Sequence, residues 1–367
     1  MIALLIAAAL LNIAILAMLT VPWHRRLLQI PSGAGEIPGG LPGISLIIAA
    51  RNEAANLRRF LPGALRQAYP RPYEVIVALD RCTDDSEAVV AGLAMQFPHL
   101  RMLTIDTLPD GWTGKKNALN LAIQAAQHEC LAFTDADCAL PEGWLEGISG
   151  QFAAGKELVL GVSPYARRRG LLNLVIRYET WMTALLYVGL AHWGRPYMGV
   201  GRSLAYRKAW FRSAGGFESI AGRMSGDDDL LVNRAAESRT TGLLIPEATQ
   251  VISMPETTWK AWFRQKVRHG SAGSAYKPTT LLILSGLHGV HLIFYLSLTV
   301  VLCLQTAMGW ALLIYLCRAA AMGMILYSLP WKQKQGLPLA SPLLDLAYLL
   351  YLVLLPVTAA CIQPKWN

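Results

Sequence analysis

Residues 1–23 contain no charged side chain, and His24, Arg25 and Arg26 follow at once. A run of that length can cross the hydrocarbon core of a bilayer as a helix. It has no basic stretch before it and no A-x-A cleavage signature, so it is expected to remain as an anchor rather than be removed as a signal peptide. The arginines behind it put its C-terminal end in the cytoplasm. The chain turns apolar again from Leu281, with spans expected near residues 281–304, 308–329 and 342–362. Lys332 and Lys334 lie between the last two, in a loop that falls inside if the first span begins outside. The boundary between the second and third spans is weakly marked, which leaves a re-entrant pair open. These runs explain a composition of 54% hydrophobic and 16% charged residues, too apolar for an ordinary soluble enzyme.

The ionisable residues inside the apolar parts admit bland readings. Arg318 falls in the third span, where an arginine is costly; snorkelling and an internal hydrogen bond are equally open. His288 and His291 share a helix face, and packed or hydrogen-bonded rings are expected there rather than metal ligands. The six cysteines form no C-x-x-C pair, which fits reduced thiols in a cytosolic domain and gives no zinc site. The net charge of +9 is concentrated locally, in Arg167, Arg168 and Arg169 and in Lys260, Arg264, Lys266 and Arg268. Such clusters suit lipid headgroups or a nucleotide phosphate. No nucleic-acid motif accompanies them, so no nucleic-acid partner is expected.

Between the apolar ends, strands and helices alternate. Ile44–Ala50, residues 73–79, Leu100–Ile105, residues 130–137 and residues 158–164 read as strands. Helices are expected from near Glu53, after Thr83 as N-cap, over 115–127, and from Pro141. The alternation implies an α/β domain with a mostly parallel sheet. No period of 20–50 residues recurs, which excludes a repeat protein. The expected layout is an N-terminal anchor (1–23), a cytosolic domain (43–255), an interfacial segment (256–280) and C-terminal transmembrane helices (281–363). The apolar stretch 171–193 carries Arg177 and Glu179, so it reads as an amphipathic or buried helix rather than a fifth span.

In such sheets ligands bind beyond the C-terminal ends of the strands. The first strand ends in Ala50, Arg51, Asn52 and Glu53, the second in Asp80 with Asp84 close behind, and the fourth in Asp135 and Asp137. One acidic strand end is usually a turn or helix cap. Three together point to a shared polar site.

These segments resemble family 2 glycosyltransferases, inverting enzymes with a nucleotide-binding domain of the GT-A type, over roughly residues 44–270. "IIAARNEAANL" is similar to the family's first strand and turn. "ALDRCTDDS" is similar to its V-D-D-x-S-x-D element, with Leu79 at the first acidic position, so Asp80 and Asp84 are carried over. "GWTGKKNALNLAI" resembles the glycine-lysine segment before the helix that faces the donor, and "TDAD" the D-x-D motif. In "SGDDDLLVNRAA", Asp227 and Asp228 take the Glu and Asp places of E-D-x-x-L-x-x-R, with Leu231 and Arg234 completing it. "WFRQKVRHG" resembles the Q-x-x-R-W segment of membrane-bound members such as ceramide-glucosyltransferase-like enzymes, through Gln265 and Arg268, with His269 where Trp is usual.

The resemblance implies a nucleotide-diphosphate sugar as donor and a divalent cation, Mg²⁺ or Mn²⁺, to offset charge on the departing diphosphate. Asp137 is expected as the direct metal ligand. Asp135 faces the ribose or reaches the metal through water. Ala50, Arg51, Glu53 and Asp80 surround the nucleoside. Lys115 or Lys116 meets phosphate, the other being a solvated helix-start residue. "GWTGKKN" lacks the spacing of a P-loop. Asp228 is the candidate base, ahead of Asp227, although "SGDDDLL" also reads as an acidic helix start. Gly199 and Gly201 permit close backbone approach on the acceptor side, or mark a sheet-edge turn. Gln265 and Arg268 either close over the diphosphate or belong to a basic helix at the membrane surface.

The leading expectation is an enzyme in the cell membrane that moves one sugar to a lipid-like acceptor. A processive polysaccharide synthase, an inactive sugar-nucleotide-binding protein, a nucleotidyltransferase and a transporter are the competing readings.

Overall fold

A computed structural model describes residues 1–24 and 41–361. Arg25, Arg26 and Ile362 lie outside the described residues, as does the end of the last expected segment. The chain divides into two compact units. One is α/β and comprises residues 41–166 and 191–255; the other is helical and comprises 1–24, 167–190 and 256–361.

The α/β unit is built on β1 (Ile44–Ala50), β2 (Tyr73–Asp80), β3 (Leu100–Ile105), β4 (Cys130–Asp135), β6 (Leu158–Gly161), β7 (Leu204–Arg207) and β8 (Thr241–Leu244), in the order β3-β2-β1-β4-β7-β6-β8. Strands β1 to β4 pair in parallel, as do β6 and β8. β7 runs antiparallel to both β4 and β6. A separate antiparallel pair joins β5 (Cys138–Ala139) to β9 (Ile252–Ser253). Covered on both faces, β1 and β2 are almost wholly buried, which is why they read as unbroken apolar runs rather than alternating ones.

Helices α2 (Ala54–Leu65), α3 (Ser86–Ala94), α4 (Gly114–Ala125), α5 (Trp144–Ala153) and α7 (Lys208–Ser213) follow β1, β2, β3, β5 and β7. Leu57, Leu61 and Ala64 of α2 and Trp144, Leu145 and Ile148 of α5 join the strands in one core. The structure corrects several expected boundaries, and β6 ends at Gly161 rather than at Pro164. β4 stops at Asp135, because residues 136–137 turn. α5 starts at Trp144, whose N–H bonds the Pro141 carbonyl across a turn. Thr83 does not cap α3; Asp84 accepts from Ser86 N at 3.0 Å, and Asp85 holds the cap position.

The helical unit contains α1 (Ile2–His24), α6 (Leu171–His192, except its last two residues), α9 (Trp259–Gly273), α10 (Pro278–Cys303), α11 (Met308–Ser328) and α12 (Leu337–Cys361). Among the described residues, four helices are long and apolar enough to cross a membrane: Ile2–His24, Pro278–Cys303, Met308–Ser328 and Leu337–Leu355. α10 and α11 are separate helices, each long enough to cross, and α6 is not among the four.

Arg318 is 2% exposed and takes the internal option. Its Nη1 donates to Asp345 Oδ2 at 2.7 Å, and Nη2 lies 3.3 Å from Asn12 Oδ1 and 3.1 Å from His291 Nδ1. Tyr295 and Tyr178 donate to the same Asp345 carboxylate, at 2.7 and 3.3 Å. One ion pair therefore ties α1, α6, α10, α11 and α12 by polar contacts. A second buried pair joins Lys266 of α9 to Glu179 of α6, and Tyr351 of α12 donates to Glu179 at 3.2 Å.

Candidate active site

β4 ends on Asp135, and the turn that follows presents Asp137. The β5–β9 pair holds this turn in place, since Cys138 pairs with Ser253 and Ser253 Oγ donates to Asp137 Oδ2 at 3.3 Å. Burial, then the charge of Asp135, raises the pKa of Asp137 above the usual carboxylate range, while Arg202 works the other way.

Lys115 stands at the start of α4. Its Nζ lies 2.9 Å from Asp135 Oδ1 and 3.3 Å from Asp227 Oδ2. One ammonium thus bridges the acidic end of β4 and the acidic turn before α8 (Asp229–Ala235). Burial opposes its charge, but Asp135, Asp227 and Asp228 outweigh burial and raise its pKa. Lys116 corrects an expectation. It is 1% exposed rather than solvated, and its Nζ donates to the carbonyls of Arg223 and Ser225, so it anchors the loop that leads to Asp227.

Asp228 is the N-cap of α8. Its Oδ1 accepts from Asp229 N at 2.8 Å and its Oδ2 from Gly201 N at 2.7 Å. Burial and the adjacent Asp227 push its pKa up to about 6. Burial also disfavours charge on Asp227, yet Lys115 and Lys116 hold that group below the ordinary carboxylate range. Two neighbouring carboxylates are thereby driven apart, a pattern that separates an ionised partner from a proton acceptor. Gly201 opens a short 3-10 turn, Gly201–Ser203, that leads into β7. Lys115, Asp135, Gly201, Asp227 and Asp228 line a solvent-open cleft of about 310 Å³, with Phe133, Leu204 and Tyr206 also on its wall.

At the ends of β1 and β2 the backbone is strained. Asn52 and Arg81 adopt φ of 56° and 48°, in the left-handed region that side chains with a Cβ seldom occupy. Asn52 Oδ1 accepts from Thr83 N at 2.7 Å, and Asp84 Oδ2 accepts from Ala54 N at 3.0 Å, locking the two strand ends together. Asp84 is thus bound to backbone and to Ser86. Asp80 is buried and paired with Arg81 at 2.8 Å. The Asp80 carboxylate and the Arg81 guanidinium occupy the space where a Cβ on Gly114 would project, which is why glycine opens α4. Glu53 accepts from Asn56 Nδ2 at 2.6 Å; burial raises its pKa, and the charges of Asp137, Asp135 and Asp84 add to the effect. Ala50 closes β1 and Arg51 follows in the bend. Gln265 and Arg268 lie on α9 in the helical unit, one turn apart.

Two carboxylates at a turn suit a hard dication. Mg²⁺ is commonly held by one or two carboxylates and completed by substrate phosphates rather than by a full protein cage. Among the described residues no group of three or more His, Cys, Asp or Glu side chains could hold a metal, so substrate oxygens would have to complete the shell. Burial and the adjacent Asp135 both disfavour charge on Asp137, and a bound cation would offset both.

Sequence reasoning missed β7 as a central strand, Ser253 as a partner of Asp137, and Arg202. The only sequence signal near them was the glycine pattern at Gly199 and Gly201.

The Glycosyl transferase family 2 model matches residues 45–213, and the Glycosyl transferase family group 2 model matches residues 131–362. Glycosyltransferase AglE of Haloferax volcanii is 32% identical over 123 residues, covering 33% of this chain and 39% of that protein. Beta-monoglucosyldiacylglycerol synthase of Nostoc sp. is 33% identical over 111 residues, covering 30% of this chain and 23% of the synthase. The probable glycosyltransferase YdaM of Bacillus subtilis is 26% identical over 242 residues, 62% of this chain and 54% of YdaM. The chain spans from about a quarter to about half of the length of these curated relatives. The mannosyltransferase PcManGT from Pyrobaculum calidifontis, solved in complex with GDP-Man and Mn²⁺, superposes with a TM-score of 0.56 at 20% identity, over 95% of this chain and 99% of that one. That likeness is one of fold, and it agrees with the GT-A-type α/β architecture and four candidate membrane helices. Since the group 2 model alone extends over more than half of the sequence, the chain belongs to glycosyl transferase family 2.

Proposed function

We propose that this glycosyltransferase moves a single sugar, with inversion, from a nucleotide-diphosphate donor to a lipid-like acceptor in the membrane. The observation that carries the reading is the Lys115 bridge between Asp135 and Asp227, which joins a donor-side acidic turn to the carboxylate pair that includes Asp228. Four candidate membrane helices and local similarity to a monoglucosyldiacylglycerol synthase support a lipid rather than a soluble acceptor.

In this reading the donor's nucleoside lies against the strand ends at Ala50, Arg51, Glu53 and Asp80. Asp137, with Asp135, holds Mg²⁺ or Mn²⁺. The cation, when bound, offsets the negative charge that develops on the leaving diphosphate. Lys115 keeps Asp227 ionised and holds Asp135 in an ion pair, ready for the donor. Asp228 takes the proton of the acceptor hydroxyl as that oxygen attacks the anomeric carbon from the face opposite the diphosphate. Two backbone N–H groups fix the Asp228 carboxylate, so its aim does not depend on a flexible side-chain partner. Gln265 and Arg268, one turn apart on α9, meet the diphosphate once donor is bound. The α/β unit faces the cytoplasm, where nucleotide sugars are made, together with the Lys332–Lys334 loop.

The test is to incubate purified protein with a panel of nucleotide sugars and a total lipid extract, then follow the lipid fraction by mass spectrometry and nucleoside diphosphate release in solution. A single-sugar lipid adduct is expected. A polymer would favour a processive synthase, and donor binding without transfer would favour an inactive binding protein. Inorganic diphosphate release would favour a nucleotidyltransferase.

A further inference from the structure

The 3-10 turn Gly201–Ser203 does two things within a few ångströms of chain. Gly201 N–H holds Asp228, and the next residue carries a guanidinium toward the opposite acidic group. Arg202 Cζ lies 4.3 Å from the centre of the Tyr165 ring, a cation–π contact that fixes the plane of the guanidinium. Tyr165 is itself bridged to Ser253, and Ser253 Oγ donates to Asp137 at 3.3 Å. On the other side, Thr134 Oγ1, immediately before Asp135, donates to the Arg202 carbonyl at 3.0 Å. Arg202 is therefore held between the two ends of the acidic turn, and its charge acts on both Asp135 and Asp137.

Yet Arg202 forms no ion pair with either carboxylate within 4.0 Å among the described residues, and its Nη1 is buried with no hydrogen-bond acceptor. A guanidinium has five donors, and a buried one left unsatisfied costs free energy comparable to a lost charged hydrogen bond. An orphaned donor of this kind, held over Tyr165 beside the acidic turn, calls for an acceptor that arrives with the ligand. An anionic acceptor bonds a guanidinium more strongly than a neutral one, and here it must lie near the acidic turn. A phosphate oxygen meets both conditions, and the planar fork of arginine suits it.

We infer that Arg202 is a diphosphate-binding residue of the donor site, stacked on Tyr165 and waiting for a phosphate oxygen of the nucleotide sugar. The inference rests on the donor-site reading proposed above. It adds a cation that belongs to the α/β unit and is preset by packing, distinct from Gln265 and Arg268 on α9. During transfer the same guanidinium stays bonded to the phosphate as the sugar–oxygen bond breaks, so its attraction grows with the charge on the leaving group.

Calorimetric titration of the full-length protein in detergent tests this. The probes are UDP, GDP, ADP, CDP and dTDP with their parent nucleosides, each in Mg²⁺ buffer and in EDTA. For whichever diphosphate the unaltered protein binds, Arg202→Gln should weaken binding by about 10- to 100-fold in both buffers. Affinity for the parent nucleoside should stay within about twofold. Arg202→Lys keeps charge without the fork and should recover part of the loss; Tyr165→Leu should fall between the two. Equal losses for nucleoside and diphosphate would mark Arg202 as structural and overturn the inference. So would unchanged diphosphate affinity, or an effect confined to Mg²⁺ buffer, which would make Arg202 only a counter-charge for the aspartates. If the unaltered protein binds none of the diphosphates, the donor-site reading itself fails along with this one.

Discussion

Gly201 donates its backbone N–H to Asp228 Oδ2 at 2.7 Å, across 27 residues of chain. A main-chain donor cannot swing away, so the carboxylate is aimed by the sheet that carries Gly201 rather than by a neighbouring side chain. The other oxygen is held by Asp229 N, the first N–H of α8. The two bonds leave each Asp228 oxygen with acceptor capacity for one more partner.

Asp228→Asn should leave donor affinity nearly unchanged and lower transfer by roughly 10²–10⁴-fold, the usual contribution of a placed acid–base group. Asp227→Asn should cost less. Calorimetric donor binding and single-turnover transfer measured on both variants check this; a larger loss at Asp227 would move the base one residue upstream.

The acid limb of kcat/KM should follow Asp228 in the free enzyme. Only its carboxylate accepts a proton, so activity should fall as pH drops through about 6 and level off above it. Burial sets most of that elevation and Asp227 adds to it, while Lys115 opposes it. Asp227→Asn should therefore move the limb to lower pH, and Lys115→Met should move it to higher pH. Shifts in the same direction in both variants would disprove this electrostatic account.

Asp137→Ala should leave the fold intact and abolish metal-dependent donor turnover. Circular dichroism reports the first and Mn²⁺ titration of donor hydrolysis the second. Near-normal turnover of this variant in the presence of a chelator would remove Asp137 from the metal site.

Asp345→Leu should strip Arg318 of its counter-ion while the guanidinium stays buried. Removing one partner of a buried pair costs about 3–5 kcal/mol, so a clear fall in thermal stability in detergent is expected. The double replacement Arg318→Leu with Asp345→Leu should recover most of that loss. If the double variant is no more stable than the single one, the five-helix tie contributes through shape and not through charge.

Much of the sheet was legible because β1, β2 and β4 are buried along nearly their whole length and bounded by glycine, proline or acid, whereas β3 is an edge strand whose burial alternates. Ile44–Ala50 and Leu100–Ile105 coincide with their expected ranges. β7 was not legible: Leu204–Arg207 is four residues long, its outer end is a charged arginine, and its pairing depends on β4 some seventy positions earlier. The acidic strand ends could be found by type, but not their separate environments. Asp84 and Asp135 look alike in sequence, yet one is bonded to Ser86 and the Ala54 amide and the other faces Lys115. Lys115 and Lys116 are adjacent on one helix turn, so only the fold decides which one reaches the cleft. The partner of Arg318 was hidden because Asp345 lies 27 residues further on, in a different helix.

The antiparallel insertion of β7 also makes the sheet a ruler for the chemistry. Its register pairs Phe133 with Leu204 and Cys130 with Arg207, and Gly201 stands three residues before that first pair. A slip of one residue would carry Gly201 about 3.4 Å along the strand and turn Tyr206, now 1% exposed, to the other face. Asp228 would lose its amide and Arg202 its seat on Tyr165 in the same step. Misfolded molecules of this protein should thus be wholly inert rather than weakly active or promiscuous, because strand pairing acts as a checkpoint on the assembly of the site.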